Sequence, residues 1–168
     1  MSNIYLIGMP GCGKSTIGKR ISAELNMGFV DLDEYITQRS NESIPDMFEK
    51  GEKYFRSKEH ECLLNVCDLK NTVIATGGGI VETPENEDVM KKSGTVVFID
   101  TPSERILSNS SLKGRPLLAD NKNKIFDIYK RRYNLYKKFS SIEIINDSDI
   151  DTAISKIMFE LQNKRAKD

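Results

Sequence analysis

The chain has 168 residues, and its 25 lysines and arginines balance its 25 aspartates and glutamates, leaving no formal net charge. That length supports one domain with a sizeable core, and the neutral balance argues against a nucleic-acid or membrane-surface partner. No stretch reaches the roughly 18 apolar residues of a membrane span, the N-terminus has no signal-peptide pattern, and the three cysteines, Cys12, Cys62 and Cys67, are an odd number in no framework spacing, so a reducing, cytoplasmic setting is expected.

In chain order, Ile4-Tyr5-Leu6-Ile7 reads as a short buried strand. It runs into Gly8-Met9-Pro10-Gly11-Cys12-Gly13-Lys14-Ser15, a match to G-x-x-x-x-G-K-[ST]. Behind it, Ile17, Ile21 and Leu25 share one face of a helix predicted over 15–26. Strand, glycine-rich loop and helix form the context that a phosphate-binding loop requires. Consecutive backbone N–H groups and the positive end of the helix can converge on a polyphosphate. Lys14 adds a mobile cation for the β and γ phosphates, and the Ser15 hydroxyl can ligate Mg²⁺. The competing reading, a turn that merely packs tightly, does not require this context.

Residues 28–33 read as a second strand ending in two carboxylates, Asp31 and Asp33. Two short helices broken around Pro45 follow over 35–50, then a longer helix over 51–69. A third strand at 72–76 leads into Gly77-Gly78-Gly79, and a helix at 84–93 carries Pro84 in its first turn. A fourth strand at 95–99 is stopped by Asp100-Thr101-Pro102, where another helix begins. Residues 108–123 are polar and aperiodic, with Gly114 and Pro116, and are read as a lid rather than a disordered loop. A basic helix at 124–139, a fifth strand at 142–145 and a closing helix at 149–163 complete the chain. The alternation predicts an α/β fold with a parallel sheet. Ligands of such sheets bind at the carboxyl ends of the strands, where the phosphate loop, the Asp31/Asp33 pair and the glycine triplet all fall.

Two residues apart on a strand, Asp31 and Asp33 would face the same way. One could hold the hydration shell of Mg²⁺ while the other orients an acceptor hydroxyl and takes its proton; alternatively, Asp33 only caps the next helix. The glycine triplet lets backbone approach a ligand, or is a plain tight turn. Arg56 and Arg132 are each either a solvated helix charge or a two-point grip on a carboxylate or phosphate. The Lys130-Arg131-Arg132 run with Tyr129, Tyr133 and Tyr136 is too short, in a neutral chain, to argue for nucleic acid. His60 near Cys62 and Cys67 fits no zinc spacing. Cys12 differs in lying within the phosphate loop, and no catalysis is assigned to it.

In sum, these residues resemble the shikimate kinase family over nearly the whole chain. The resemblance rests on the phosphate loop at 8–16, Asp31-Leu32-Asp33, and Gly51-Glu52 through Phe55-Arg56 and Glu59. It also rests on Ala75-Thr76-Gly77-Gly78-Gly79, Arg115-Pro116-Leu117-Leu118 and the late Arg132-x-x-Leu135-Tyr136. The loop alone is generic; the ordered set is specific. The resemblance implies a three-layer α/β P-loop kinase fold, nucleoside-monophosphate-kinase-like, with a five-stranded parallel sheet and helices on both faces. The chain would be a single domain, residues 1–168, with its lid at 108–123.

The implied reaction is phosphorylation of the 3-hydroxyl of shikimate by Mg-ATP, on the route to chorismate and the aromatic amino acids. Carried over by position, Gly11, Cys12, Gly13, Lys14, Ser15 and Thr16 would hold the ATP phosphates. Ser15 would ligate Mg²⁺, and Asp31 would reach it through water. Asp33 would hold shikimate hydroxyls and assist proton removal. Arg56 and Arg132 would bind the carboxylate, with a backbone contact from Gly78. Arg115 would meet the phosphates from the lid, so that Lys14, Asp33 and Arg115 form the catalytic set. Two stretches depart from the family pattern on the adenine side: Ser108-Asn109-Ser110-Ser111 lacks an early lid arginine, and Asn146-Asp147-Ser148-Asp149 lacks an Arg-Pro wall. A gluconate or nucleoside monophosphate kinase is the nearest rival, and a nucleotide-binding regulator without an acceptor is a more distant one. The expected state is a monomer, with no nucleic acid or membrane as partner.

Overall fold

The computed structural model describes residues 2–108 and 122–166. Arg115 and the greater part of the expected lid lie outside the described residues. The framework is a five-stranded sheet in the order β2-β3-β1-β4-β5, parallel at every pairing. Its strands are β1 (Asn3–Ile7), β2 (Gly28–Asp31), β3 (Thr72–Ala75), β4 (Gly94–Asp100) and β5 (Ile142–Ile145). Helices α1 (Lys14–Glu24), α2 (Leu32–Ser40), α3 (Ile44–Glu49), α4 (Glu52–Cys67), α5 (Glu85–Ser93), α6 (Ser103–Ser108), α7 (Lys122–Phe139) and α8 (Ile150–Arg165) cover it. In the central strand, Tyr5 lies opposite Ile74 on one side and Val96 on the other. The strand order reverses beside β1, so the crevice at its carboxyl end is the switch point of the sheet.

Every residue of β1 is buried, because both faces of the sheet are covered. Ile4 and Leu6 pack with Val73, Val97 and Ile99 against Ile17 and Ile21 of α1 and Ile154, Ile157 and Leu161 of α8. Tyr5 and Ile7 pack on the opposite face with Leu32 and Ile36 of α2, Phe55 and Leu63 of α4, and Tyr136 of α7. Phe98 of β4 stacks on Tyr136 with ring centroids 5.0 Å apart. Burial of each such ring contributes about 1.5–3 kcal/mol, and the ring pair adds roughly 0.5–1.5 kcal/mol. Tyr136 is therefore fixed by the core before it does anything in the crevice. No described helix is long and apolar enough to cross a membrane.

The local structure corrects the sequence reading in several places. The second strand stops at Asp31, whose carboxylate Oδ1 accepts from the backbone N–H groups of Asp33 (3.1 Å) and Glu34 (3.3 Å) and starts α2. Asp33 thus sits in the first turn of a helix, not on a strand, and the cap is Asp31 rather than Asp33. The break expected around Pro45 falls earlier: Asn41 ends α2 in the left-handed region with φ 51. Ser43 then caps α3, leaving Pro45 in its first turn, where a missing N–H has no intrahelical partner to lose. Pro84 caps α5 rather than lying within it. A single 3-10 turn, Ile80–Glu82, follows the glycine triplet and was not expected.

Candidate functional site

At the carboxyl end of β1, the loop reaches α1 through Gly13, whose φ of 94 suits a residue without a Cβ. Beside it lies a cavity of about 370 Å³, lined by Gly11, Gly13, Lys14, Ser15 and Thr16 from the loop and α1. Asp31, Asp33 and Glu34 form a second wall, and Thr76, Gly77 and Gly78 a third. The Lys14 ammonium is tucked under the loop, donating to the carbonyls of Gly8 (2.8 Å) and Met9 (2.9 Å). The Cys12 side chain is buried beneath the loop, its sulfur 3.6 Å from the Lys14 ammonium and packed in the apolar cluster with Ile17 and Ile99. Any contact of Cys12 with a nucleotide is therefore through its backbone.

The Ser15 hydroxyl donates to Oδ2 of Asp31. Asp31 thus has two tasks: one oxygen caps α2 and the other meets Ser15. A hydroxyl and a carboxylate at one rim of the cavity are the hard oxygen donors that suit Mg²⁺, which takes few protein ligands and completes its shell with water and substrate phosphates. The residues fit that ion. Among the described residues, no cluster of three or more His, Cys, Asp or Glu side chains could enclose a metal by itself.

On the acceptor side, the glycine triplet is required for space. None of its members has a positive φ, yet a Cβ on Gly79 would lie 2.1 Å from Nη2 of Arg56, and one on Gly78 would lie 2.5 Å from the Pro10 ring. A Cβ on Gly77 would lie 2.9 Å from Oδ1 of Asp33 and 3.0 Å from Oε1 of Glu59. Two carboxylates and a guanidinium therefore press on one short backbone stretch.

Arg56 and Glu59 leave α4 three residues apart and form an ion pair, Nη1 to Oε2, of 2.7 Å. Glu59 has no exposed surface, and its other oxygen has no hydrogen-bond partner. Burial raises its pKa to about 6, against the opposing charge of Arg56, with Asp33 adding to the rise and Arg132 countering it. Arg56 also stands over the Phe55 ring at 5.1 Å and reaches Glu52 at 3.4 Å.

From α7 comes Arg132, only 7% exposed, which donates from Nε to Oε1 of Glu82 at 2.9 Å. One turn later, the Tyr136 hydroxyl donates to the Gly78 carbonyl at 2.6 Å. Burial holds that phenol protonated well above its usual range, so it remains a donor. The fold thus brings Asp33, Arg56, Gly78 and Arg132 near one another from four separate segments; Asp33 and Gly78 line the cavity, while Arg56 and Arg132 stand behind it, held by Glu59 and Glu82.

The sequence reading assigned no role to the side chains of Glu59, Glu82 and Tyr136. Two had a signal: Glu59 lies three residues after Arg56, and Tyr136 four after Arg132, so each shares a helix face with its arginine. Glu82 had none, because its partners lie 49 and 50 residues away.

Set beside known proteins, residues 10–162 match the family model for shikimate kinase. The chain belongs to the shikimate kinase family. A shikimate kinase from Clostridium botulinum is 45% identical over 156 residues, spanning 93% of this chain and 94% of that protein. Among solved structures, shikimate kinase from Acinetobacter baumannii in complex with shikimate superposes with a TM-score of 0.89 at 34% identity, covering 98% of this chain and 95% of that one. Shikimate kinase from Aquifex aeolicus gives a TM-score of 0.84 at 38% identity, with 97% and 98% covered. The shikimate kinase assignment therefore extends over sequence and fold alike, and the fold is the α/β P-loop kinase arrangement expected from the sequence.

Proposed function

We propose that the chain transfers the γ-phosphoryl of ATP to the 3-hydroxyl of shikimate, using the loop at 8–16 as donor site and Asp33, Arg56, Gly78 and Arg132 as acceptor site. One observation carries the acceptor assignment. Arg56 of α4 lies against Gly79, and Arg132 of α7 is held by Glu82 at the end of the turn that follows the triplet, beside the Asp33 carboxylate on the cavity wall. Paired guanidiniums suit a carboxylate held by parallel hydrogen bonds, and a neighbouring carboxylate suits a hydroxyl that must lose its proton. A hydroxylated carboxylic acid satisfies both.

In this reading, the backbone of Gly11, Cys12, Gly13, Lys14, Ser15 and Thr16 holds the phosphates, and Lys14 exchanges the Gly8 and Met9 carbonyls for phosphate oxygens. Ser15 would hold Mg²⁺ directly and Asp31 through water; when bound, the ion neutralises charge shared by the β and γ phosphates. Arg56, Arg132 and the Gly78 backbone fix shikimate by its carboxylate side. Asp33 accepts a hydrogen bond from the 3-hydroxyl and turns its lone pair toward the γ phosphorus. As the new P–O bond forms and the bond to ADP breaks, the hydroxyl proton passes to Asp33. Lys14 and Arg115 stabilise the transferred phosphoryl, and closure of residues 108–123 excludes competing water. Alignment and charge stabilisation are the main demands of phosphoryl transfer. The chain acts as one domain and a cytoplasmic monomer; the free thiols of Cys12, Cys62 and Cys67 support the reducing setting.

A coupled ADP-release assay with Mg-ATP and shikimate, gluconate, AMP, CMP or no acceptor tests this. ADP is expected with shikimate only. Turnover with another acceptor alone would keep the donor site and remove the carboxylate roles of Arg56 and Arg132. Hydrolysis independent of any acceptor would point to a nucleotide-binding regulator.

A further inference from the structure

We infer that Glu82 is a positioning residue for the acceptor acid, orienting Arg132 by its Nε edge while Arg131 offsets the negative charge that Glu82 brings. The inference rests on the reading that Arg132 grips the shikimate carboxylate. Glu82 closes the 3-10 turn after the glycine triplet, its N–H donating to the Gly79 carbonyl at 3.0 Å. Its position is therefore tied to the stretch that supplies Gly78. A single oxygen, Oε1, accepts from Arg132 Nε at 2.9 Å and from Arg131 Nε at 3.0 Å, and it also meets Arg131 Nη2 at 2.8 Å.

Burial alone would raise the Glu82 pKa, but hydrogen bonds and charge from Arg132 and then Arg131 outweigh it and hold the carboxyl ionised. A guanidinium has five N–H donors in a rigid fork, so holding Nε fixes the plane in which the remaining donors point. Tyr136, anchored on Gly78 by its hydroxyl, also interacts with the Arg132 side chain. Charge balance explains Arg131. An isolated Glu82–Arg132 pair would be neutral and a poor host for an anion. With Arg131 on the same carboxylate, the cluster of three keeps one net positive charge.

Steady-state kinetics of Glu82→Gln, Arg132→Ala and the double variant, with shikimate and ATP varied separately, test the inference. Glu82→Gln should raise the shikimate KM about tenfold, the loss of one charge-assisted hydrogen bond, with the ATP KM unchanged. In the Arg132→Ala background, the same change should add almost nothing, because the group it orients is gone. Arg131→Ala should raise the shikimate KM about threefold, less so as salt is added, because this arginine is exposed. A normal shikimate KM in Glu82→Gln, with Arg132→Ala still impaired, would overturn the positioning role alone. So would full additivity in the double variant, or equal losses for both substrates. A normal shikimate KM in Arg132→Ala would overturn the carboxylate reading, and this inference with it. If Glu82→Gln melts early, Glu82→Asp decides: it retains the charge in the same turn and should lie nearer the wild-type shikimate KM than the Gln variant, whereas an equal loss overturns the role.

Discussion

On the loop side of the cavity, the lining comes from one short stretch, Gly11 and Gly13 through Thr16, where backbone N–H groups at a helix start face the space. On the acceptor side, the groups come from α2, α4, the triplet after β3, and α7, and the work falls to side chains held by other side chains. The first construction depends on few side chains, those of Lys14 and Ser15, and otherwise on the backbone staying in place. The second depends on a chain of partners, Glu59 for Arg56, Glu82 for Arg132 and Tyr136 for Gly78. The two sides meet where Gly78 packs on Pro10 of the loop.

The comparison can be broken most severely at Asp33. Asp33→Asn keeps the size of the side chain but cannot take a proton, so kcat should fall by about 10²–10⁴-fold, with the melting temperature and ATP affinity retained. Turnover near wild type would remove Asp33 from the chemistry.

Neighbouring glycines sharpen the contrast between the two sides. In Gly79→Ala, the new methyl lies 2.1 Å from the movable tip of Arg56, so the arginine gives way. The shikimate KM should rise about tenfold or more, with little change in ATP KM, and stability should fall to the extent that Arg56 leaves buried Glu59. In Gly78→Ala, the methyl meets the rigid Pro10 ring at 2.5 Å. That change should cost about 1–3 kcal/mol of stability and raise both KM values. Identical kinetic profiles for the two variants would show that the sides are not separable.

A pH response follows from Glu59, which faces Arg56, Asp33 and Arg132. Its folded-state pKa of about 6 lies above the ordinary 4.5, so the folded state favours the neutral acid. The associated stability is fully present below about 4.5 and is lost as pH rises through about 6. Measured against Glu59→Gln, the wild type should therefore gain about 2 kcal/mol between pH 7 and pH 4.5. Calorimetric melts of both proteins across that range check it; a constant difference would mean that Glu59 titrates alike folded and unfolded.

Much of this was legible in the sequence because its signals are local. The β1 run, the loop and α1 are contiguous, so spacing alone conveyed their context. Alternation of apolar runs and helical patterns predicted the five parallel strands. The Asp31/Asp33 geometry was misread because period-two strand logic was extended past a helix start. Asp31 in the extended region with two N–H groups on its carboxylate is a helix cap, and a cap ends the strand. The triplet's purpose was half legible: glycine implied close approach, but not that Arg56, Pro10, Asp33 and Glu59 are what approach.

The sequence by itself determined the phosphate loop, the parallel α/β class and the set of residues from which a carboxylate-binding kinase site could be assembled. Each of these depends on nearby residues or on repeating patterns. Only the tertiary structure decided that Arg56 lies against Gly79, that Glu59 lies wholly buried near Arg56 and Asp33, and that Glu82 holds two arginines of a distant helix. Apart from the Arg56–Glu59 pair, which is local to α4, those contacts join segments far apart in the chain, about 50 residues for Glu82 and its arginines. They follow from the packing of α4, α7 and the 3-10 turn at the carboxyl edge of the sheet, which no periodicity encodes.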